Sequence, residues 1–252
     1  MLLCLVSEVN DGSLCLELKS NTLSETYAKW FNHDQMVSFL NSQPISTFAL
    51  DGLQILAFDG ERLYFEKYHI AEREVFASLH RLVKQNTSSE HKIESIKQVV
   101  AEVSGSVSFA LSDEQMLAMS VSLLQPFSII SGGPGTGKTT IMGSVLRCLV
   151  QLGVEASHMA LAAPTGRAAY RMTESLRNGL NEDVTQGLAL AEQGLLTLEA
   201  TTIHRLLGAN PSRKQHRYHT GNLLPYKLIV IDEVSMVDMM LMKHLLAAIP
   251  NE

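Results

Sequence analysis

Residues 131–140, SGGPGTGKTT, place four glycines and a proline in ten positions and end on a lysine and two threonines. Glycine costs stability in ordinary helices and strands, so such a cluster marks backbone that turns sharply or approaches something closely. Gly132 to Thr139 satisfies G-x-x-x-x-G-K-[ST] at each fixed position. Its flanks have the order that motif requires. The apolar run PFSIIS (126–131) reads as a strand feeding the loop, and Lys138 to Leu152 reads as a helix stopped by Gly153. The backbone around Gly133, Gly135, Thr136 and Gly137 is then expected to curl about phosphate oxygens, with a helix N-terminus behind it. Lys138 is expected to reach the β- and γ-phosphates of ATP and Thr139 to coordinate Mg²⁺, while Thr140 begins the helix beside them.

A second motif supplies a partner. In KLIVIDEVSMVD (227–238) an apolar run delivers Asp232 and Glu233 to its C-terminal end, the edge where parallel sheets bind ligands. Asp232 is expected to hold Mg²⁺ and Glu233 to orient or deprotonate the attacking water. Acids after a strand also cap helices; it is the pairing with an intact phosphate loop that points to nucleotide hydrolysis. The chain lacks the LSGGQ-like signature of transporter ATPases, so a motor or switch ATPase is the leading class.

Other segments carry two readings each. In APTGRAAYRM (163–172), Thr165 and Arg167 suit phosphate-backbone contacts to single-stranded nucleic acid, or a helix N-cap followed by a solvated arginine. Tyr170 reads as a packing residue in preference to a base-stacking one. In TTIHRLLG (201–208), His204 reads by itself as structural. The stretch PSRKQHRYHTGN (211–222) reads equally as a basic path for a nucleic-acid strand and as a surface loop. SDEQ (112–115) spells a capping box, and Gln115 is also suited to the adenine edge of ATP, since an amide both donates and accepts.

Around these motifs the chain alternates apolar runs and helical patterns from residue 126 onward, which implies a parallel sheet with helical crossovers. The first part differs. LQILAFDGERLYFEKY (53–68) reads as a hairpin turning at Asp59-Gly60, and residues 71–86 and 91–103 have helical spacing. GSVS (105–108) suggests a boundary, giving an α+β module over 1–108 and an α/β domain over 109–252. Residues 1–110 hold 9 Lys and Arg against 14 Asp and Glu, so most of the net charge of −6 lies there, which favours protein partners over indiscriminate nucleic-acid binding. Apolar runs stay below the roughly 18 residues of a membrane span. Three cysteines without metal-ligand spacing suit reduced thiols, and a cytoplasmic location is expected.

Taken together, Gln115 with GGPGTGKTT, APTGRAAYRM, TIHRLLG and LIVIDEVSMVD resemble the first motor domain of superfamily 1 DNA helicases, and within them the exodeoxyribonuclease V alpha-subunit family. SEVNDGSLCLELKS and FALDGLQILAFDGERLYFEKY resemble that family's leading domain. The resemblance implies a RecA-like P-loop fold after a small α+β docking domain. It also implies ATP-driven 5′ to 3′ movement on single-stranded DNA, in a complex with beta and gamma subunits, the gamma subunit docking on the N-terminal domain. By position it assigns the ATPase roles to Lys138, Thr139, Asp232 and Glu233, the adenine contact to Gln115, and DNA contacts to Thr165, Arg167, Thr202 and His204. The sequence stops at AAIPNE, where the family continues into a coupling motif and a second motor domain bearing an arginine finger. ATP binding with little turnover is expected of such a fragment, because such an arginine contributes about 10³ to 10⁵-fold to phosphoryl transfer. A non-catalytic docking module, and a P-loop NTPase outside DNA repair, are the alternative readings.

Overall fold

A computed structural model describes residues 2–18, 33–42, 49–50, 53–85, 90–107, 110–184, 190–210 and 215–250. It divides into two compact units, Met1–Phe76 and Ala77–Glu252. The expected boundary at 108/109 falls inside the second unit, because the helix over 90–106 packs with the two helices C-terminal to it.

In the first unit, helix α1 (Leu2–Asn10) is followed by strand β1 (Cys15–Glu17), helix α2 (His33–Ser42), the short strands β2 (Ala49–Leu50) and β3 (Leu53–Gln54), and strands β4 (Leu56–Phe58) and β5 (Arg62–Phe65). The expected hairpin is β4–β5. Asp59 Oδ1 accepts from the backbone N–H groups of Glu61 and Arg62, and Gly60 has φ 104°, so the turn is held by side-chain chemistry local to it. β1 adds antiparallel to β5, giving the order β1-β5-β4. Leu5, Leu16, Leu18, Leu40 and Leu63 close the core.

Helix α3 (Glu66–Val83) leads into the second unit, where α4 (Glu90–Ser106), α5 (Asp113–Leu124) and α6 (Lys138–Gln151) pack on one another. Strand β6 (Met159–Ala163), helix α7 (Gly166–Val184), strand β7 (Thr201–Thr202), the one-turn helix α8 (Ile203–Leu206), the hairpin strands β8 (Ala209–Asn210) and β9 (Gln215–His216), strand β10 (Leu228–Ile231) and helix α9 (Met239–Ala247) complete it. Strands β10, β6 and β7 form a parallel sheet in that order, with Ile231 beside Ala162 and Thr202 beside Ala163. All five residues of β6 are buried, as the central strand of a sheet covered by helices requires. This parallel sheet with flanking helices is the expected RecA-like α/β arrangement.

Two findings differ from expectation. Residues 128–131 join no strand ladder among the described residues, so the strand expected at 126–131 is not formed. Ile130 packs on the α4–α5–α6 cluster while Ile129 is 79 % exposed, a strand-like alternation without hydrogen-bonded partners. Tyr170, expected to pack, is 64 % exposed, and its hydroxyl donates to Glu174 Oε1 one turn on.

Helix α6 is gripped from two sides. Ile141, Val145 and Cys148 share one stripe and pack on α4 and α5, whereas Leu146 joins Met159 and Leu161 of the sheet. Beside that stripe lies a buried ion pair, Arg147 Nε to Glu192 Oε2 at 2.9 Å. Gln151 donates to the other Glu192 oxygen, and Arg147 also donates to Ser106 Oγ. The glycine loop thus enters a helix that cannot easily rotate or slide.

Candidate functional site

The loop before α6 is built around two close approaches. Gly137, the N-cap of α6, has φ 80°, and a Cβ there would stand 2.5 Å from Gln115 Nε2. A Cβ on Gly132 would stand 2.6 Å from Thr136 Oγ1. Only glycine meets both demands, left-handed backbone and no side chain, at position 137. Thr136 Oγ1 donates to the Gly133 carbonyl and shapes the turn from within.

No side chain caps the start of α6. The first N–H groups of a helix lack intrahelical acceptors, so they present a positive end to an anion. Lys138 Nζ donates to the carbonyls of Gly132 at 2.7 Å and Gly133 at 2.8 Å, curling its ammonium over the same loop. Gln115 reaches the loop from α5. Its Oε1 accepts from Ser112 N–H at 2.9 Å, its backbone N–H donates to Ser112 Oγ, and its Nε2 donates to the Thr136 carbonyl at 3.2 Å. The capping box is therefore real, and its side chain also steadies the glycine loop.

The sheet's C-terminal edge collects the remaining residues. Asp232 N–H donates to the Ala162 carbonyl, continuing the β10–β6 ladder, and Asp232 Oδ1 accepts from Glu233 N–H at 2.8 Å. Glu233 is the one non-glycine residue with positive φ among those described, at 51°. Thr165 caps α7, its Oγ1 accepting from Ala168 N–H, and Thr202 caps α8, its Oγ1 accepting from Arg205 N–H. His204 is exposed on α8. Nearby, the His216 and His244 rings meet tilted, their centroids 4.7 Å apart; burial, then the neighbouring His244 and His204, hold His216 below the usual imidazole range. Arg213 and Lys214 of the basic stretch lie outside the described residues.

Thr165, Arg167, Ala168, Arg171, Glu233 and Met236 line one cleft of about 280 Å³. The structure thus brings together Glu233, Thr165 and Arg167, and separately Lys138, Thr136, Gly137 and Gln115. No direct hydrogen bond joins Thr139 to Asp232 among the described residues. Arg171 escaped sequence reasoning, although its spacing of four from Arg167 places both guanidinia on one helix face.

These features define a P-loop nucleotide-binding domain. Residues 115–252 match the sequence profile of the AAA domain family, and the chain belongs to that family. The resemblance drawn from its motifs is borne out more narrowly, because the chain is RecD-like. It is 33 % identical over 252 residues to RecBCD enzyme subunit RecD of Mycolicibacterium smegmatis, across 97 % of this chain and 42 % of that protein. It is 39 % identical over 146 residues to RecBCD enzyme subunit RecD of Haemophilus influenzae, across 56 % of this chain and 22 % of that protein. An ATP-dependent RecD2 DNA helicase of Deinococcus radiodurans is 35 % identical over 140 residues, 56 % of this chain and 16 % of its own length. The chain spans about two fifths of the length of the curated relatives that it matches from end to end. No helix among the described residues is long and apolar enough to cross a membrane.

Proposed function

We propose that this chain carries the first motor domain of an ATP-dependent 5′ to 3′ DNA helicase subunit, acting on single-stranded DNA with beta and gamma subunits in an exodeoxyribonuclease V complex. The observation that carries the reading is the uncapped start of α6 with Lys138 curled over the glycine loop at its N-terminus. Triphosphate oxygens would take the loop and helix N–H groups, and Lys138 would exchange its two carbonyl acceptors for the β- and γ-phosphates. The donor set fits Mg²⁺, a hard cation that prefers oxygen. The Thr139 hydroxyl would be one ligand and Asp232 the other, since Glu233 N–H occupies only its Oδ1. The cation would neutralise phosphate charge, and Glu233 would orient the attacking water. Gln115 holds the loop, and the second N–H of its amide is available for adenine. Thr165, Arg167, Thr202 and His204, gathered near one sheet edge, would face the DNA strand.

The acidic N-terminal part supports docking to a protein partner, the gamma subunit, through residues 1–108. A docking module that does not cycle is the second reading, favoured by the charge distribution alone. Energetic linkage separates the two: a motor must let nucleotide change its grip on DNA. The affinity for a labelled oligothymidylate should change severalfold when a non-hydrolysable ATP analogue and Mg²⁺ are added, and Lys138→Ala should abolish that change. Equal affinities with and without nucleotide, alongside gamma-subunit capture that survives Lys138→Ala, would favour the docking module.

A further inference from the structure

The cleft between α7 and the turn after β10 contains charges that do not satisfy one another. Arg167 and Arg171 stand one turn apart on α7, and neither makes a hydrogen bond or ion pair among the described residues. Glu233 lines the same cleft, yet its carboxylate forms no salt bridge with either guanidinium. Its backbone is held at φ 51°, ψ 42° by the Asp232 carboxylate. A non-glycine residue in that region is strained, and strain of this kind persists where the surroundings over-determine it. Thr165 completes the polar wall: its Oγ1 accepts from Ala168 N–H, leaving its O–H free to donate. The cleft therefore offers two planar cationic forks and a hydroxyl, set against one carboxylate.

Two guanidinia with a hydroxyl suit a phosphodiester, which accepts through its two charged oxygens. The carboxylate opposes it, because a phosphate bound there would lie beside a like charge. We propose that Arg171 is a second ligand, beside Arg167, for a DNA-strand phosphate, and that this phosphate competes with the Glu233 carboxylate for the cleft. Strand occupancy then pushes Glu233 out of its strained conformation, and an empty cleft lets it return. The inference rests on the motor reading for the identity of the ligand. It differs from that reading in making Glu233 a residue that opposes strand binding in its resting position.

The test is the affinity of the chain for a fluorescein-labelled oligothymidylate, measured by anisotropy over a series of salt concentrations. Arg171→Gln should weaken binding about tenfold and lower the magnitude of the log–log salt slope by about 0.7, the value for one lost phosphate contact on a single strand. Arg171→Lys keeps the charge and should restore the slope. Glu233→Gln should tighten binding severalfold, whereas Glu155→Gln, ahead of the opposite end of β6, should leave it unchanged. In the Arg171→Gln, Glu233→Gln double variant the gain from Glu233→Gln should shrink, since both act on one phosphate. Thermal midpoints close to that of wild type verify folding. An unaltered slope in Arg171→Gln, unaltered affinity in Glu233→Gln, or no strand binding by the wild-type chain would overturn the proposal. Nucleotide binding that depends on Lys138 is a separate measurement, and its survival in any of those cases would leave the nucleotide site intact.

Discussion

Gln115 and Thr136 are joined between helix α5 and the glycine loop: the Gln115 amide donates from Nε2 to the Thr136 carbonyl at 3.2 Å while its Oε1 accepts from the Ser112 N–H. One side chain therefore caps α5 and anchors the glycine loop. Gln115→Glu separates the two jobs, because a carboxylate still accepts from Ser112 N–H but cannot donate to Thr136. We expect Gln115→Glu to keep the helix cap, with a thermal midpoint near wild type, and to lose several-fold in affinity for a fluorescent ATP analogue. Gln115→Ala should lose affinity and also about 1 kcal/mol of stability, as removal of a cap does. Calorimetry and analogue titration on both variants check this.

Gly137→Ala tests the loop's steric demand. Its φ of 80° is strained for alanine, and the new Cβ meets Gln115 Nε2 at 2.5 Å. Strain of this kind costs about 1 to 3 kcal/mol. The loop is expected to reshape, with Kd for Mg·ATP rising at least tenfold. Combining Gly137→Ala with Gln115→Ala should relieve the clash and leave the backbone strain, giving partial recovery. Wild-type affinity in the single variant would show that the loop is looser than its geometry.

The Arg147–Glu192 pair is inaccessible to solvent on both sides, with side chains 5 % and 0 % exposed. Removing one partner of a buried pair costs about 3 to 5 kcal/mol, because the other charge is left uncompensated. Glu192→Ala should show a loss of that size in urea unfolding. Replacing both residues with apolar ones of similar volume should recover much of it.

His216 sets a pH dependence. Its folded-state pKa is lowered, by burial first and then by His244 and His204, from an ordinary value of 6.5. Below that value the unfolded chain binds the proton more readily than the folded one, so this contribution to stability is present above about pH 6.5 and falls as the solution is made more acidic. The thermal midpoint of wild type should drop between pH 7 and pH 5 by more than that of His216→Phe. Parallel curves for the two proteins would show that His216 carries no linkage.

Burial pushes the Cys148 thiol up to about 12. The thiolate is the reactive form, so Cys148 should resist a thiol reagent in the native protein at pH 8 and react once the protein is unfolded. Prompt modification before unfolding would place α6 nearer solvent than its packing indicates.

What could be read from sequence was chemistry confined to a few neighbouring residues. The Asp59-Gly60 turn, the capping box at Ser112 to Gln115 and the glycine loop each specify their own backbone, and all three stand in the structure. Pairing between distant segments was not legible. Residues 128–131 have strand composition, but a strand exists only with a ladder partner, and they have none among the described residues. The boundary expected at GSVS lies inside the second compact unit because α4 has polar residues on one face and, on the other, Ile96, Val100 and Val103, which pack with α5 and α6. The Arg147–Glu192 pair joins residues far apart in the chain, so no spacing rule could suggest it. In the site, Thr165 and Arg167 were visible as a turn, whereas the cleft they share with Arg171 and Glu233 depends on the sheet bringing β6 and β10 side by side.

The most direct test of the nucleotide site is a titration of this chain with Mg·ATP, by calorimetry or a fluorescent analogue, beside Lys138→Ala and Asp232→Asn. One saturable site is predicted in wild type, with its loss in Lys138→Ala and loss of the Mg²⁺ dependence in Asp232→Asn. Binding of equal strength in wild type and Lys138→Ala would contradict the assignment, since the glycine loop and its lysine would then not be where the triphosphate is held.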